Sequence, residues 1–314
     1  MSEPCLATTV ASIALSTCVY NASGPRTGSS NALAKIAKSK AGAVLAKSAT
    51  VDSQKGNPLP RTWNHDVPGD IDGLESMASL NSEGLPNSGI EYYISPNTIE
   101  ESVGNSNNSK PYFVSISGKT LDDNLAMLKK IYEVSAMSGG KSKIDGVELN
   151  LACPNVIGKP IIAYDFDQME GVLNQVSALP MFSGPNKMPL GIKMPPYFDG
   201  PHFERAAAIL NKYSAIVDYV ASINTIGNAL AIDVAAEMPV IKSKGGFAGL
   251  SGKAVKYTAL ANVKKMRDLL VDSIDVVGAG GVFTGAGENN LTNDVSGNIS
   301  LDFNCAFLPK MPSR

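Results

Sequence analysis

The feature that most constrains this 314-residue chain is a repeated pattern of short apolar segments, most of which end in polar or glycine-rich residues. Segments of this length without polar alternation are typical of parallel strands that are buried on both faces. Seven such segments are predicted to be strands, at residues 19–24, 41–48, 112–117, 146–151, 189–193, 219–225 and 275–281.

Helical patterns separate most of these strands, at residues 30–38, 121–137, 164–179, 203–213 and 258–271. Strand–helix alternation of this kind predicts a parallel sheet, and the count favours a single α/β domain over residues 1–314 with a (β/α)₈ TIM-type barrel rather than an open sheet. Residues 49–110 interrupt the pattern with turn-rich sequence, which we interpret as irregular structure in a long functional loop.

The pattern also fails at the end of the chain. After Gly281 a barrel of this type needs another helix, an eighth strand and a last helix, but the sequence from Glu288 onward is rich in Asn, Ser, Gly and Pro and has no clear period. We therefore expect the eighth strand and the final helices to be missing, and residues 286–314 to form an atypical tail. Such a chain would have two open sheet edges with unpaired N–H and C=O groups and would aggregate.

Polar or glycine residues close six of the seven predicted strands at the same end. In (β/α)₈ barrels the carboxyl ends of the strands form the rim that carries the active site. The residues that we place on this rim are Lys47, Ser117, Cys153, Lys193, Asn224 and Gly280.

Cys153 follows one of these strands and is flanked by the carboxamides of Asn150 and Asn155. A thiol in that position can act as an acid/base group or as a nucleophile, and the neighbouring amides can hold a planar polar ligand. The alternative is a buried free cysteine with no chemical role. Lys47 is also unusual, because a lysine that ends a buried strand is rarely buried unless it is paired.

Composition excludes several classes of function. The net charge of −2 argues against a nucleic-acid partner, and the four cysteines and two histidines form neither a CxxC pair nor a metal motif. We expect no disulfides, no metal site, a reducing compartment, no signal peptide and no membrane span.

Nine sequence blocks closely resemble one enzyme family. They comprise residues 21–24, 46–48, 56–61, 148–155, 158–160, 164–166, 193–199, 224–228 and 258–263. Together they make the chain similar, over about residues 17–285, to the class 1A dihydroorotate dehydrogenases, which are cytosolic, fumarate-linked flavoenzymes of pyrimidine (UMP) biosynthesis.

This resemblance implies a cytoplasmic homodimer with bound FMN that oxidises dihydroorotate to orotate and passes the electrons to fumarate. Cys153 would take the proton from C5 of dihydroorotate, and the hydride from C6 would go to N5 of FMN. The implied substrate contacts are Lys47, Asn81, Gly84, Leu85, Asn150, Asn155, Asn224 and Thr225. The implied FMN contacts are Ala22, Ser23, Lys47, Ser48, Asn150, Lys193, Ile223, Gly252, Gly280 and Gly281.

The chain also departs from the family pattern. Glu83 replaces a methionine in the implied substrate loop, Ala248 and Ser251 replace glycines, and residues 64–79 include extra residues. The Gly-Thr pair that follows the family's eighth strand and completes the phosphate site is missing, so the resemblance implies that this chain aggregates or purifies without FMN. Two alternatives therefore remain beside the enzyme: a catalytically inactive, incomplete barrel, and a related flavin barrel that acts on another pyrimidine.

Overall fold

The fold is built on one curled eight-stranded sheet. The computed structural model describes residues 6–67, 76–106, 109–137, 144–152, 161–184, 187–282 and 304–307. The strands of this sheet, in spatial order, are β3 (Val19–Asn21), β16 (Asn304–Phe307), β15 (Asp275–Ala279), β10 (Tyr219–Ser222), β9 (Leu190–Met194), β8 (Gly146–Asn150), β7 (Tyr112–Ile116) and β4 (Val44–Leu45).

Neighbouring strands from β4 to β15 pair in parallel, as the strand–helix alternation predicts. The sheet curls until its end strands β3 and β4 approach each other, where the Gly42 N–H donates to the Val19 carbonyl oxygen at 2.8 Å. The α/β barrel predicted from the sequence is confirmed, and each of the seven predicted strands is present.

Helices cover the outside of this sheet. They are α1 (Ser30–Lys38), α2 (Ile90–Ile94), α3 (Pro96–Val103), α4 (Leu121–Met137), α5 (Phe166–Ser177), α6 (Gly200–Lys212) and α7 (Lys256–Leu269). Side chains fix where several of them begin: the Asp165 carboxylate accepts from the Gln168 N–H at 3.1 Å, and Asp199 caps α6 in the same way. Among the described residues, no helix is both long and apolar enough to cross a membrane.

Alternate residues of the strands enter two separate cores, because successive side chains point to opposite faces of a sheet. Val114 and Leu149 face the helices, whereas Phe113 and Tyr219 pack inside the barrel. The hairpin of β1 (Thr8–Val10) and β2 (Ile13–Leu15) contributes Val10 and Leu15 to this inner core. The inside of the barrel is therefore filled with side chains, and a ligand can bind only at the rim.

A second, antiparallel sheet was not predicted. Its strands run in the order β11 (Ile226–Ala229), β14 (Ala248–Gly252), β6 (Ser76–Asn81) and β5 (Thr62–Val67), and a short hairpin of β12 (Ile232–Asp233) and β13 (Met238–Pro239) lies beside it in sequence. The interpretation of residues 49–110 as irregular is therefore wrong, because this stretch supplies β5, β6, α2 and α3.

The tail differs from expectation at one place. Residues Asn304–Phe307 form β16, which pairs antiparallel with both β15 and β3. The expectation that no strand follows Glu288 is wrong for these four residues. A parallel eighth strand and final helices are absent from the described part of the chain. The position between β15 and β3 is occupied by the antiparallel strand β16.

Candidate active site

Two buried lysines lie at the carboxyl ends of two strands of the parallel sheet, β4 and β9, which β7 and β8 separate. Lys47 follows β4 by two residues and Lys193 lies near the end of β9, and each is only 6% exposed. Asn150 pairs in register with Lys193 on the adjacent strand, so the two side chains share the inner face of the barrel. Ammonium groups at this rim can bind the carboxylate of an anionic ligand.

A buried carboxyl lies one layer below Lys193. Glu148 is 2% exposed on β8, and the Tyr219 hydroxyl lies 3.5 Å from its Oε2. Burial raises the pKa of the Glu148 carboxyl above its usual range, while the Lys193 ammonium and the Tyr219 hydroxyl act in the opposite direction. Glu148 is not among the predicted site residues, although it begins the block of residues 148–155, because a glutamate inside a strand does not reveal which charged groups face it across the barrel.

A chain of hydroxyl groups joins three strands at this rim. Ser23 Oγ lies 2.9 Å from Ser48 Oγ and accepts from the Ser48 backbone N–H at 2.6 Å. Ser48 Oγ lies in turn 2.8 Å from Ser115 Oγ. The structure therefore brings the predicted residues Ser23 and Ser48 together beside buried Ala22, and it adds Ser115, which the sequence analysis missed.

Two of the predicted amide side chains, those of Asn150 and Asn224, lie close together. Asn224 Nδ2 approaches Asn150 Oδ1 at 3.4 Å, and Asn224 Oδ1 accepts from the Thr225 N–H at 2.8 Å. The Asn224 backbone N–H donates to the Met194 carbonyl oxygen at 2.8 Å, which ties this segment to the end of β9. Amides held in this way can read the carbonyl and N–H edges of a planar ring.

The antiparallel sheet brings Asn81 to the same side of the barrel. Asn81 Nδ2 donates to the Gly249 carbonyl oxygen at 3.3 Å, and a Cβ at Gly249 would overlap the Thr225 side chain. Asn81, Gly249 and Thr225 are therefore close neighbours, although they come from three separate strands or loops.

Two departures from the family pattern make contacts in this sheet. Ser251 Oγ lies 2.8 Å from Ser79 Oγ, and Ala248 is buried with Leu80 and Ile241. Both side chains therefore make contacts that a glycine could not make, and both restrict the backbone conformation more than a glycine would.

The loop formed by residues 81–87 contains two predicted substrate contacts in left-handed conformations. Gly84 has φ of +67° and Leu85 has φ of +55°. Gln54 Nε2 donates to the Gly84 carbonyl oxygen at 2.6 Å, so the loop formed by residues 54–61 holds this turn. Such strain in a non-glycine residue persists only where its surroundings fix it.

The predicted glycines meet beside the beginning of α7. Gly280 and Gly281 have φ of +113° and +68°, and a Cβ at Gly281 would lie 2.5 Å from Lys256 Cα. Ile223 lies against Gly280, and Gly252 ends β14 just before the turn that leads into α7. Backbone N–H groups at the start of a helix favour a phosphate, so this corner suits a phosphorylated ligand.

Two predicted residues, Cys153 and Asn155, lie outside the described part of the chain, as residues 153–160 do as a whole. The described residues contain no cluster of three or more His, Cys, Asp or Glu side chains that could hold a metal ion. Of the other predicted site residues, six lie at or just after the carboxyl ends of barrel strands: Lys47, Ser48, Asn150, Lys193, Asn224 and Gly280.

Comparisons with known proteins agree with this architecture. Residues 5–290 match the family model for dihydroorotate dehydrogenase. The chain is 44% identical over 266 residues to the dihydroorotate dehydrogenase (fumarate) of Saccharomyces cerevisiae, covering 84% of this chain and 76% of that protein. It is 42% identical over 281 residues to dihydroorotate dehydrogenase A (fumarate) of Lactococcus lactis subsp. lactis, covering 89% and 81%.

The same fold occurs in a solved structure. The ligand-free dihydroorotate dehydrogenase of Eimeria tenella superposes with a TM-score of 0.65 at 18% sequence identity, covering 90% of this chain and 77% of that chain. At this identity the likeness concerns the fold alone.

Proposed function

The chain belongs to the dihydroorotate dehydrogenase family, and from this premise we propose that it oxidises dihydroorotate to orotate in pyrimidine biosynthesis, with bound FMN and with fumarate as the electron acceptor. The observation that carries the proposal is the location of two buried cations, Lys47 and Lys193, at the carboxyl ends of barrel strands, with Asn150 paired in register with Lys193. Orotate carries a carboxylate and ring amides, which match ammonium and carboxamide partners.

The rim residues also fit FMN. Gly280 and Gly281 can present backbone N–H groups to its phosphate beside α7, and Ser23 and Ser48 offer hydroxyl donors. Lys193 would lie near the ring that becomes negatively charged on reduction, where a cation is stabilising. When bound, FMN supplies an acceptor for the hydride from C6 of the substrate.

Different residues would then bind the substrate, orient its ring and remove its proton. Lys47 would bind the substrate carboxylate, and the amides of Asn81, Asn150 and Asn224 would orient the ring so that C5 faces the thiol of Cys153. As general base, Cys153 removes the C5 proton. Thr225, Gly84, Leu85 and Asn155 would complete the substrate contacts, and Ala22, Ile223 and Gly252 the FMN contacts.

We also propose that the protein is a cytoplasmic homodimer. Several large apolar side chains between β11 and β14 are exposed, which is typical of a surface that a second copy covers. They are Leu230, Ile232, Val234, Met238 and Phe247, with exposures from 46% to 85%.

A catalytically inactive barrel is the second candidate, and the antiparallel direction of β16 favours it. If β16 does not restore the phosphate site, the chain would fold without a flavin. Purification of the full chain after expression with riboflavin separates the two candidates. The enzyme would carry one FMN per chain, lose flavin absorbance on anaerobic addition of dihydroorotate and regain it with fumarate. A colourless, folded chain that FMN does not reconstitute would contradict the proposal.

A further inference from the structure

An ion pair joins the two loops that meet beside the proposed substrate site. Arg61 Nε lies 3.0 Å from Glu83 Oε2, with side-chain exposures of 25% and 11%. Resting on the proposed function, we propose that this pair controls substrate binding: Arg61 neutralises the Glu83 carboxylate and fixes the loop formed by residues 81–87, without a part in FMN binding.

The guanidinium is held on the 54–61 side of the pair. Arg61 Nη1 donates to the Lys55 carbonyl oxygen at 2.8 Å and lies against Gly56, where a Cβ would be 2.8 Å from it. A guanidinium with backbone partners in a fixed geometry loses less entropy when it pairs than a free side chain does. The position of the Arg61 guanidinium is therefore fixed by contacts within its own loop, in addition to its contact with Glu83.

Backbone hydrogen bonds connect the same two loops around the pair. The Asn57 N–H donates to the Glu83 carbonyl oxygen, and the Ser82 N–H donates to the Arg61 carbonyl oxygen, each at 2.8 Å. Asn57 Nδ2 adds a third contact, to the Ser82 carbonyl oxygen at 2.8 Å. Any movement of Glu83 is therefore transmitted to Gly84 and Leu85, which follow it directly in the chain.

The negative charge of Glu83 explains why the pair would affect the binding of the substrate, which is also an anion. Glu83 lies two residues from Asn81, so their Cα atoms are within about 7 Å of each other. A carboxylate at that position that has lost its guanidinium partner would repel a substrate that is itself a carboxylate, and partial burial weakens the screening by salt. The phosphate corner at Gly280 and Gly281 belongs to a different part of the rim, beside α7.

The test is a double-mutant cycle on the FMN-loaded protein, with the orotate Kd read from the change in flavin absorbance. Arg61→Gln should weaken orotate about tenfold, equivalent to about 1.4 kcal/mol. Glu83→Gln should weaken it only about threefold, because the loop loosens but no negative charge is left behind. The double variant should bind orotate more tightly than Arg61→Gln alone, because the repelling carboxylate is gone. FMN affinity should stay within about twofold throughout.

Two further variants serve as controls for the effect of charge and for the loss of an unrelated ion pair. Arg61→Lys keeps the positive charge but loses the Nη1 contact to Lys55, and it should bind orotate more tightly than Arg61→Gln because Glu83 stays neutralised. Glu170→Gln breaks the exposed pair of Lys212 and Glu170 on the outer helices and should change neither affinity.

The outcomes separate this inference from the proposed function. An unchanged protein that binds neither FMN nor orotate contradicts the function itself. An unchanged protein that binds both, together with an Arg61→Gln variant of equal orotate affinity, overturns only the role of the pair. A double variant as weak as Arg61→Gln also overturns it, because charge neutralisation would then play no part.

Discussion

The side chain of Asn21 makes the two hydrogen bonds to Leu45 that a neighbouring strand would otherwise make. Asn21 Nδ2 donates to the Leu45 carbonyl oxygen at 2.6 Å, and Asn21 Oδ1 accepts from the Leu45 N–H at 3.0 Å. This contact bridges β3 and β4 where the sheet meets itself. It also fixes the backbone two residues before Lys47.

Replacement of Asn21 should therefore weaken both the barrel and the site. In Asn21→Leu, the buried N–H and carbonyl of Leu45 lose their partners, at a cost of about 1–3 kcal/mol each. We expect the free energy of unfolding in urea to fall by about 2–6 kcal/mol and the flavin content to fall with it.

Asn211 provides a matched control for this variant. It makes the same pair of bonds between outer helical segments, to the Leu269 carbonyl oxygen and the Val271 N–H, both at 2.9 Å. Asn211→Leu should cost stability but leave FMN affinity unchanged. Equal loss of FMN in both variants would show that Asn21 has no special link to the site.

Cys153 is tested through the rate of flavin reduction. Removal of a general base typically slows proton transfer by ~10²–10⁴-fold, so Cys153→Ala should bind FMN and orotate but be reduced slowly by dihydroorotate in a stopped-flow experiment. Cys153→Ser should keep some activity with its pH profile displaced upward, because a hydroxyl is a poorer base. Reduction of the alanine variant at the unchanged rate would remove Cys153 from the mechanism.

Lys47 is expected to bind the substrate carboxylate. A hydrogen bond to a charged group contributes about 1.5–3 kcal/mol, so Lys47→Ala should weaken orotate roughly 10–100-fold. Titration of orotate against the flavin absorbance band measures this, with Lys265→Ala on the exposed face of α7 as the control. Unchanged orotate affinity in Lys47→Ala would place the lysine outside the substrate site.

Glu148 should make stability depend on pH. Burial raises the pKa of its carboxyl above the ordinary value of 4.5, so the folded state holds this proton more tightly than the unfolded state. The free energy of unfolding therefore falls as pH rises from about 4.5 toward the folded pKa.

Glu148→Gln removes this ionisation. Its melting temperature, relative to that of the unchanged protein, should rise as the pH is raised above about 4.5. The exposed Glu204→Gln variant gives the same change in charge without burial and provides the baseline. A constant difference across this pH range would mean that Glu148 does not resist ionisation in the folded protein.

The sequence predicts the barrel strands well because each is an apolar run of strand length, buried on both faces. The sequence does not predict the side-chain contacts at the rim, because these contacts join segments that are far apart in the chain. Ser48 meets Ser115 across 67 residues, and Ser79 meets Ser251 across 172. Neither serine pair leaves a local signal, and strands β5 and β6 alternate too weakly to outweigh the Asn, Gly and Pro residues around them.

The same reasoning explains the missed strand β16. Its four residues, Asn304–Phe307, have no alternation of their own, and their extended form depends on the backbones of β3 and β15 on either side. A central strand donates every N–H to one neighbour or the other, so a proline in it removes a ladder bond.

Ala306 therefore offers a direct test of whether β16 closes the barrel. Ala306→Pro should lower the free energy of unfolding by about 1–3 kcal/mol, because a buried partner loses its donor, and should reduce FMN per chain, since Gly280 directly follows the strand with which β16 pairs. Ala306→Gly keeps the N–H and should retain most of the flavin. Equal stability and equal FMN content in the proline variant, measured by urea unfolding and flavin absorbance, would show that β16 does not hold the sheet closed.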